Sequence, residues 1–151
     1  MAESPVVRLL VFRVGRLVCA AAADVVREIL PRLPTTRIPG APVVVAGLAN
    51  VRGSLVTIVE GWRALELEAP AGGEAAATIV LLEVGAAGAR KTIGFTVDEV
   101  LDLLAVREDE LEQRQALPGL DPRLVRAVGR RAGQAFVVLD TDALLAPIVT
   151  S

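Results

Sequence analysis

The sequence predicts a mainly β fold made of two SH3-like, five-stranded small barrels packed together, with short helices. The apolar segments are short and rich in Val, Leu and Ala, and turn residues separate them at regular intervals, which is typical of small β-barrels. Two sequence patterns also recur in the same order in each half of the chain, which favours an internal duplication. Because a half of roughly 70 residues has a marginal core alone, we expect the two barrels to share a core and to leave a groove between them.

Strands and tight turns alternate in the first half. Gly15-Arg16 and Arg52-Gly53 are each predicted to turn the chain between two strands. Residues 24–30 fit either one helical turn or an irregular edge strand, and the prolines between residues 31 and 42 exclude regular structure there. A short helix is predicted over residues 62–67. The predicted strands of this half are Val6–Val14, Leu17–Ala22, 43–51 and 55–59, and the third of them can start with a helical turn.

The second half repeats this alternation after a segment rich in Ala, Gly and Pro. That segment, residues 69–76, is predicted to be a mobile loop or the boundary between the lobes. The boundary places the first barrel lobe at about residues 1–70 and the second at about residues 71–151 of one domain. The predicted strands of this half are Thr78–Val84, 92–97, 100–106, 123–128 and 135–139.

The internal repeat consists of two short patterns. The first is an Asp followed by three apolar positions, and the second is a turn Gly, an apolar strand, an acid and a short helix. The matched pairs are Asp24 with Asp98, Val26 with Val100, Ile29 with Leu103, Leu30 with Leu104, Gly53 with Gly133, and Glu60 with Asp140. Their common order and similar spacing indicate that a unit of about five strands was duplicated.

Two carboxylates, Glu60 and Asp140, follow apolar strands and precede predicted helices. A carboxylate at that point accepts backbone N–H groups of the first helical turn, so each is interpreted as a helix cap. The alternative is an acidic catalytic pair of the glycosidase or aspartic-protease kind. The final helix, capped by Asp140 or Thr141, is predicted to end near Leu145, because Pro147 cannot continue it.

The chain is poor in residues that perform chemistry. It has no histidine and no tyrosine, and Lys91 is its only lysine. A Ser-His-Asp or Cys-His arrangement is therefore impossible, and the commonest metal ligand is absent. The single cysteine, Cys19, lies in an apolar stretch and is predicted to be a buried core residue. We expect no catalytic activity, no metal and no cofactor.

The charge distribution and the apolar runs exclude two further classes of partner. The net charge of −2 argues against nucleic-acid binding, which needs a concentrated basic face. The apolar runs at residues 43–49 and 55–59 are far shorter than the roughly 20 residues of a spanning helix, and the N-terminus lacks a signal-peptide pattern. A soluble cytoplasmic protein without direct membrane insertion is expected. The acidic excess beyond residue 69 is either a solvated surface or a face for a basic partner.

Five motifs in order resemble those of the chemotaxis coupling protein (CheW) family across nearly the whole chain. The motifs are Leu10-Val11-Phe12-Arg13-Val14-Gly15, Val25-Val26-Arg27-Glu28-Ile29, the Pro-rich Thr36-Arg37-Ile38-Pro39-Gly40-Ala41-Pro42 with Gly47 and Asn50-Val51-Arg52-Gly53, Gly94-Phe95-Thr96-Val97-Asp98-Glu99-Val100, and Phe136-Val137-Val138-Leu139-Asp140 with Leu144-Leu145. In the family, a Pro-Ile-Val-Asp-Leu stretch often follows the Asn-Leu-Arg-Gly motif. This chain departs from that pattern, because it has Thr57 in place of Pro, Glu60 in place of Asp and Gly61 in place of Leu.

The resemblance implies a non-catalytic scaffold that links chemoreceptor cytoplasmic tips to the regulatory domain of the histidine kinase CheA in two-component signal transduction. It implies a cytoplasmic protein that its partners recruit to membrane receptor arrays, with the receptor hairpin in the groove between the lobes. The implied receptor-binding residues are Val26, Glu28, Arg52, Thr78 and Gly94. The kinase-binding candidates are Ile38, Val44 and Val45. The residues expected to build turns and corners are Asn50, Gly53 and Asp98.

Other interpretations of the same residues stay open. Arg52 can pair with a receptor carboxylate or can brace the Gly53 turn by bonding backbone carbonyls. Ile38, Val44 and Val45 can form an exposed patch or ordinary core. The chain can serve a chemosensory pathway other than motility as a divergent adaptor. It can also bind a small molecule in the groove, which a dry, closed cavity would favour.

Overall fold

The computed structural model describes residues 4–70, 76, 78–113, 117 and 119–149, and most of them are in β-strands. The predicted mainly β class with few helices is confirmed. Two α-helices are described, α1 (Gly61–Ala64) and α2 (Thr141–Val149). The strands are β1 (Val6–Val14), β2 (Leu17–Ala22), β3 (Val26–Pro31), β4 (Val45–Val51), β5 (Ser54–Val59), β6 (Thr78–Val84), β7 (Lys91–Val97), β8 (Glu99–Arg107), β9 (Glu112–Gln113), β10 (Val125–Arg131) and β11 (Gln134–Leu139).

The strands form two sheets with the same internal plan. Sheet A has the order β8-β1-β2-β11-β10-β9, and sheet B has the order β3-β6-β7-β5-β4. In each sheet an edge strand pairs antiparallel with the first strand of a hairpin. The second strand of that hairpin pairs parallel with one strand of a second hairpin. Sheet B has the predicted five strands, and sheet A has a sixth, the two-residue β9.

Each half of the chain contributes strands to both sheets. The order of elements in each half is hairpin, edge strand, hairpin and helix, as the predicted repeat requires. However, the first hairpin of each half lies in the same sheet as the second hairpin of the other half: β1–β2 join β10–β11 in sheet A, and β6–β7 join β4–β5 in sheet B. The expected division into lobes at residues 1–70 and 71–151 is therefore wrong as a division of the sheets. The local sequence of a hairpin specifies its turn and its apolar face, but it does not specify which of two similar edge strands it meets.

Sheet B curls so that its two outer strands approach each other. In a flat sheet β3 and β4 would be about 19 Å apart, since four interstrand spacings of about 4.8 Å separate them. The chain that leaves β3 nevertheless pairs with β4, because the Thr36 N–H donates to the Leu48 carbonyl and the Leu48 N–H to the Thr36 carbonyl, each at 2.8 Å. The segment that follows β3 therefore links the two edges of sheet B.

The buried side chains form three layers, with the largest between the two sheets. Phe12 of sheet A meets Phe95 of sheet B edge to face, with ring centroids 6.1 Å apart. The cluster around them contains residues of both sheets and of α2, so the two sheets share a core. Smaller clusters fill the far side of sheet A, around Val11 and Phe136, and the far side of sheet B, around Ile58 and Ile79.

The last helix runs past its predicted end. α2 continues through Pro147 to Val149, although Pro147 has no N–H to donate to the carbonyl four residues earlier. Burial on the core side explains why the last turn stays helical. The buried apolar side chains described in this helix are Leu144, Leu145 and Ile148, all in the shared core.

Asp140 caps its helix as predicted, whereas Glu60 does not. The Asp140 carboxylate accepts the N–H of the residue three positions later at 3.0 Å. The Glu60 carboxylate instead accepts hydrogen bonds from Arg32 at 2.7 Å and from the Thr96 hydroxyl at 3.1 Å. That hydroxyl accepts the Gly61 N–H at 2.9 Å, so Thr96 of β7 caps α1. The extra methylene of Glu carries the carboxylate beyond its own helix.

Two departures from the family pattern have a structural basis. A Cβ on Gly61 would lie 2.1 Å from the Thr96 carbonyl oxygen, so α1 can pack against β7 only without a side chain there. Thr57 lies on β5, between β4 and β7, with a paired strand on each side. Thr57 keeps the N–H that a Pro would remove from this interior strand.

Candidate functional site

An open groove of about 510 Å³ crosses sheet B at the end that holds the β4–β5 turn. Its walls come from all five strands of this sheet. The lining residues are Arg27, Glu28, Val51, Arg52, Ser54, Leu55, Val56, Thr57, Leu81, Lys91, Thr92 and Ile93. A groove was expected between the two lobes, but apolar side chains fill the space between the two sheets. The groove described here lies on sheet B instead.

The β4–β5 turn projects Arg52 toward the groove. Arg52 and Gly53 both have positive φ, at 51° and 87°, which is the backbone of a two-residue turn of type I′. Gly adopts this conformation freely, but Arg does so only under constraint. The constraint comes from Asn50, whose side-chain oxygen accepts the Gly53 N–H at 2.7 Å. Asn50 therefore braces the turn, and the Arg52 guanidinium extends to another element.

Arg52 forms a two-pronged ion pair with Glu28 of β3. One guanidinium nitrogen donates to Glu28 Oε1 at 2.5 Å, and the other donates to Oε2. The hydrogen bond from Arg52 holds the pKa of the Glu28 carboxyl below its ordinary value, and the carboxylate raises the pKa of Arg52. Because the Arg52 side chain is 71% exposed, this pair contributes little to stability. Its effect is to fix the position of a charge pair at the rim of the groove.

The groove combines charged rims with apolar walls. Leu55 is 71% exposed beside the ion pair, and Val56, Leu81 and Ile93 line the inner wall. Such a surface can hold the apolar stripe of a helix while charged groups on either side fix its register. A small molecule would be poorly enclosed there, because the groove is open to solvent.

The structure brings together two of the five residues implied for receptor binding. Glu28 and Arg52 meet at the groove, and Val26, on the same strand as Glu28, packs against the shared core. Gly94 is buried in β7, where a Cβ would lie 2.5 Å from Ile58 Cδ1. Thr78 begins β6, about 10 Å along that strand from Leu81, which lines the groove.

The three kinase-binding candidates lie near one another but differ in exposure. Ile38 and Val45 line a second groove of about 490 Å³, formed by the Pro-rich loop and α1. Val44 and Val45 are half-buried and pack against the shared core. The most exposed apolar side chain of this region is their neighbour Val43, at 73%, which the sequence interpretation missed. Its position in a run of three valines gave no sign of which one faces solvent.

Asp98 ties the start of β8 to the β1–β2 hairpin. Its carboxylate accepts the Gly15 N–H at 2.5 Å, and its own N–H donates to the Arg13 carbonyl at 2.8 Å. Asn50 and Gly53 build the β4–β5 turn in the same local way. These contacts suit the structural role expected for Asp98, Asn50 and Gly53.

A second ion pair repeats the Glu28–Arg52 arrangement in sheet A. Asp102 of β8 accepts a hydrogen bond from Arg131 Nε at 3.0 Å, and this bond lowers the pKa of the Asp102 carboxyl. β8 is the edge strand of sheet A, as β3 is of sheet B, and Arg131 precedes the β10–β11 turn. In the repeat alignment, Glu28 corresponds to Asp102, but Arg52 corresponds to Ala132 and not to Arg131, so the sequence indicated only the acidic member of this pair.

The described residues offer little to reaction chemistry. No group of three or more Cys, Asp or Glu side chains within 4–70 and 78–113 or the later described segments could hold a metal ion. Cys19 is fully buried, and burial raises the pKa of its thiol. No helix among the described residues is long and apolar enough to cross a membrane.

Comparison with known proteins gives one consistent family. The CheW-like domain family model matches residues 8–148. A protein of Rhizobium etli, named probable chemotaxis protein CheW, is 30% identical over 81% of this chain and 74% of its own length. The chemotaxis protein CheW of Rhizobium meliloti is 32% identical over 69% of this chain, and the match spans 64% of that protein.

The fold is shared with a solved scaffolding protein. The crystal structure of TtCheW from Thermoanaerobacter tengcongensis superposes with a TM-score of 0.80, covering 95% of this chain and 93% of that one, at 17% sequence identity. At this identity the likeness concerns the fold alone.

Proposed function

This chain belongs to the CheW-like domain family, and from that premise we propose that it links the cytoplasmic tips of chemoreceptors to the histidine kinase CheA. It is a CheW-like scaffold protein of chemotaxis. We propose that it acts as one domain over residues 1–151 in the cytoplasm, where its partners recruit it to receptor arrays. The shared core between the sheets supports action as one unit, because it binds both sheets to each other.

The open groove on sheet B is the observation that carries the receptor part of this proposal. Its rim holds the exposed Arg52–Glu28 pair, and Leu55 offers an exposed apolar side chain beside it. A receptor helix can place an apolar stripe on Leu55 and a carboxylate near Arg52. We assign direct receptor contacts to Glu28 and Arg52, and a supporting role behind the groove to Val26, Thr78 and Gly94.

The Pro-rich loop supports the kinase part of the proposal, because it offers a second surface built from other residues. Ile38 lines the second groove, and Val43 is exposed on the same loop. Val44 and Val45 hold the loop against the shared core, so their effect on kinase binding would be indirect. A scaffold needs two surfaces that can be occupied at once. Each is of modest size, so individual affinities in the micromolar range are expected, with avidity from the array.

The absence of catalysis is part of the proposal. Glu60 and Asp140, the one carboxylate pair considered for chemistry, are each engaged in local contacts, Glu60 with Arg32 and Asp140 with the first turn of α2. A catalytic acid or base needs a proton-transfer partner within reach, and these two carboxylates are instead used to hold the fold.

Binding of the purified protein to a receptor signalling tip and to the CheA regulatory domain tests this function. Arg52→Ala should weaken the receptor complex without affecting the kinase complex, and Ile38→Asp should do the reverse. Arg16→Ala, an exposed change in the β1–β2 turn outside both surfaces, is the matched control. If all variants keep their circular dichroism spectra and wild type binds neither partner, the proposed function is wrong, and a divergent adaptor or a ligand-binding module becomes the better account.

A further inference from the structure

The second groove carries a positive charge that the rest of the chain does not share. The formal charge of the whole chain is −2. Among the residues that line this groove of about 490 Å³ are three arginines, Arg32, Arg37 and Arg63, and one acid, Glu60. A local excess of guanidinium groups on an acidic protein attracts an anionic ligand to this place.

One of the three arginines is already neutralised. Arg32 Nη2 lies 2.7 Å from Glu60 Oε1, and both side chains are partly buried. Arg37 and Arg63 are exposed, and within the described part of the chain neither forms an ion pair. Two of the guanidinium groups that line the groove are therefore not neutralised by any carboxylate of the described residues.

The wall between these arginines is apolar. The guanidinium carbon of Arg63 lies 4.5 Å from the centre of the Trp62 ring, so the two side chains form one flat surface. Ile38 and Val45 line the groove from the side of the Pro-rich loop. A ligand that fills this groove must bring both negative charge and an apolar side chain.

We propose that this groove binds an acidic peptide segment that carries an apolar side chain between carboxylates. Its carboxylates pair with Arg37 and Arg63, whose planar donors suit carboxylate geometry, and its apolar side chain packs on Trp62 and Ile38. The inference rests on the proposed function in one respect, because Ile38 and Val45 are also proposed kinase-binding residues. It adds the chemistry of the segment that the partner presents.

An extended peptide suits the groove better than a small anion or a nucleotide does. A compact anion would satisfy the guanidinium groups and leave the apolar wall of Ile38 and Val45 exposed. When acidic, apolar and acidic side chains occupy every second position of a peptide, an extended backbone presents all three on one face, and so covers both kinds of surface at once.

Trp62 provides a direct readout, because it is the only tryptophan and the chain has no tyrosine. The probe is a synthetic peptide that repeats Glu-Ser-Leu-Ser, so that Glu and Leu share one face of the extended backbone. It is titrated into the full-length protein while the Trp62 emission is followed. Because changes at Arg63 alter that emission directly, anisotropy of a labelled copy of the peptide gives a second measurement. We expect saturable binding that weakens as salt is added.

The variants separate a specific site from general attraction. Arg37→Ala and Arg63→Ala together should weaken binding about tenfold or more, since each removes a charge-assisted contact. Arg37→Lys should recover part of the affinity, and Arg16→Ala should change nothing. Equal binding by wild type and the double variant would overturn the inference. Saturable binding of pyrophosphate or a nucleotide as strong as that of the peptide would also overturn it. So would a dimer that forms as the protein concentration rises and is lost in the double variant, because a second copy of the chain would then occupy the groove.

Failure of this inference and failure of the proposed function look different. If the CheA regulatory domain binds wild type and the double variant equally and the acidic peptide does not bind, the scaffold role stands and the groove assignment is wrong. If the peptide binds and the kinase domain does not, the groove assignment stands and the kinase part of the proposed function is wrong.

Discussion

Gly61→Ala is expected to destabilise the protein, although the same change in an ordinary helix stabilises it. Gly61 is the first residue of α1 and is buried against β7. The new Cβ would lie 2.1 Å from the Thr96 carbonyl oxygen and 3.1 Å from the Phe95 ring, and real Cβ contacts essentially never fall below 3.0 Å. α1 and β7 must therefore move apart by roughly 0.9 Å in a close-packed region.

The expected loss follows from three effects. Overpacking of this kind costs about 1–3 kcal/mol. The shift also strains the Gly61 N–H bond to the buried Thr96 hydroxyl, now 2.9 Å long, which is worth about 1 kcal/mol. Replacing Gly in a helix returns about 0.5–1 kcal/mol. The free energy of unfolding should therefore fall by about 2 kcal/mol, which lowers Tm by about 4–8 °C for a domain of this size.

Urea denaturation followed by circular dichroism measures this change as a lower midpoint at an unchanged slope. A second variant isolates the hydrogen-bond part. Thr96→Val keeps the shape of the side chain and removes the hydroxyl, so it reports the hydrogen bonds alone. A Gly61→Ala midpoint equal to or above that of wild type would refute the close packing of α1 on β7.

Three further outcomes follow from the ion pairs and the buried thiol. Arg52→Ala should raise the Glu28 pKa toward its ordinary value near 4.5 in a carboxyl-carbon NMR titration, and an unchanged Glu28 titration would contradict the pair. Because the pKa of Glu28 is lower in the folded than in the unfolded protein, the pair stabilises the fold slightly at pH values above the unfolded pKa. This stabilisation disappears as the pH falls through the folded-state pKa. Arg131→Ala should raise the pKa of Asp102 and leave Glu28 unchanged, and movement of both would show that the two sheets are coupled. Cys19, whose thiol pKa is raised by burial, should react with iodoacetamide far more slowly in native buffer than in urea, and equal rates would contradict its burial.

The positions of the strands were predictable because local chemistry determines them. β1 spans the predicted residues Val6–Val14, since the Gly15 turn ends an apolar strand there. Residues 24–30 fitted two alternatives, and the structure contains both, a single 3₁₀ turn at Ala23–Val25 and then the edge strand β3. The predicted loop over residues 69–76 lies mostly outside the described residues, so this expectation stays a prediction.

The pairing of the halves could not be read from the sequence. The two turns at Gly53 and Gly133 have nearly the same backbone, with φ of 87° and 80°, and the preceding residues also share positive φ. Similar hairpins present similar edges, and only packing over long sequence distances selects between them. The Glu28–Arg52 contact has the same origin, because the curling of sheet B brings together residues on elements that are not neighbours in the sheet.

The exchange of hairpins between the halves affects how the protein is made on the ribosome. Val6 pairs with Arg107, and Cys19 pairs with Val137, so the first hairpin meets its partner strands only after almost the whole chain has been translated. Contacts so distant in sequence form slowly. Until then the apolar faces of β1 and β2 have no permanent partner, and an incomplete chain exposes them to other nascent chains. Rapid completion of translation, or a chaperone that covers this hairpin, would therefore raise the yield of folded scaffold more than any substitution that strengthens the hairpin itself.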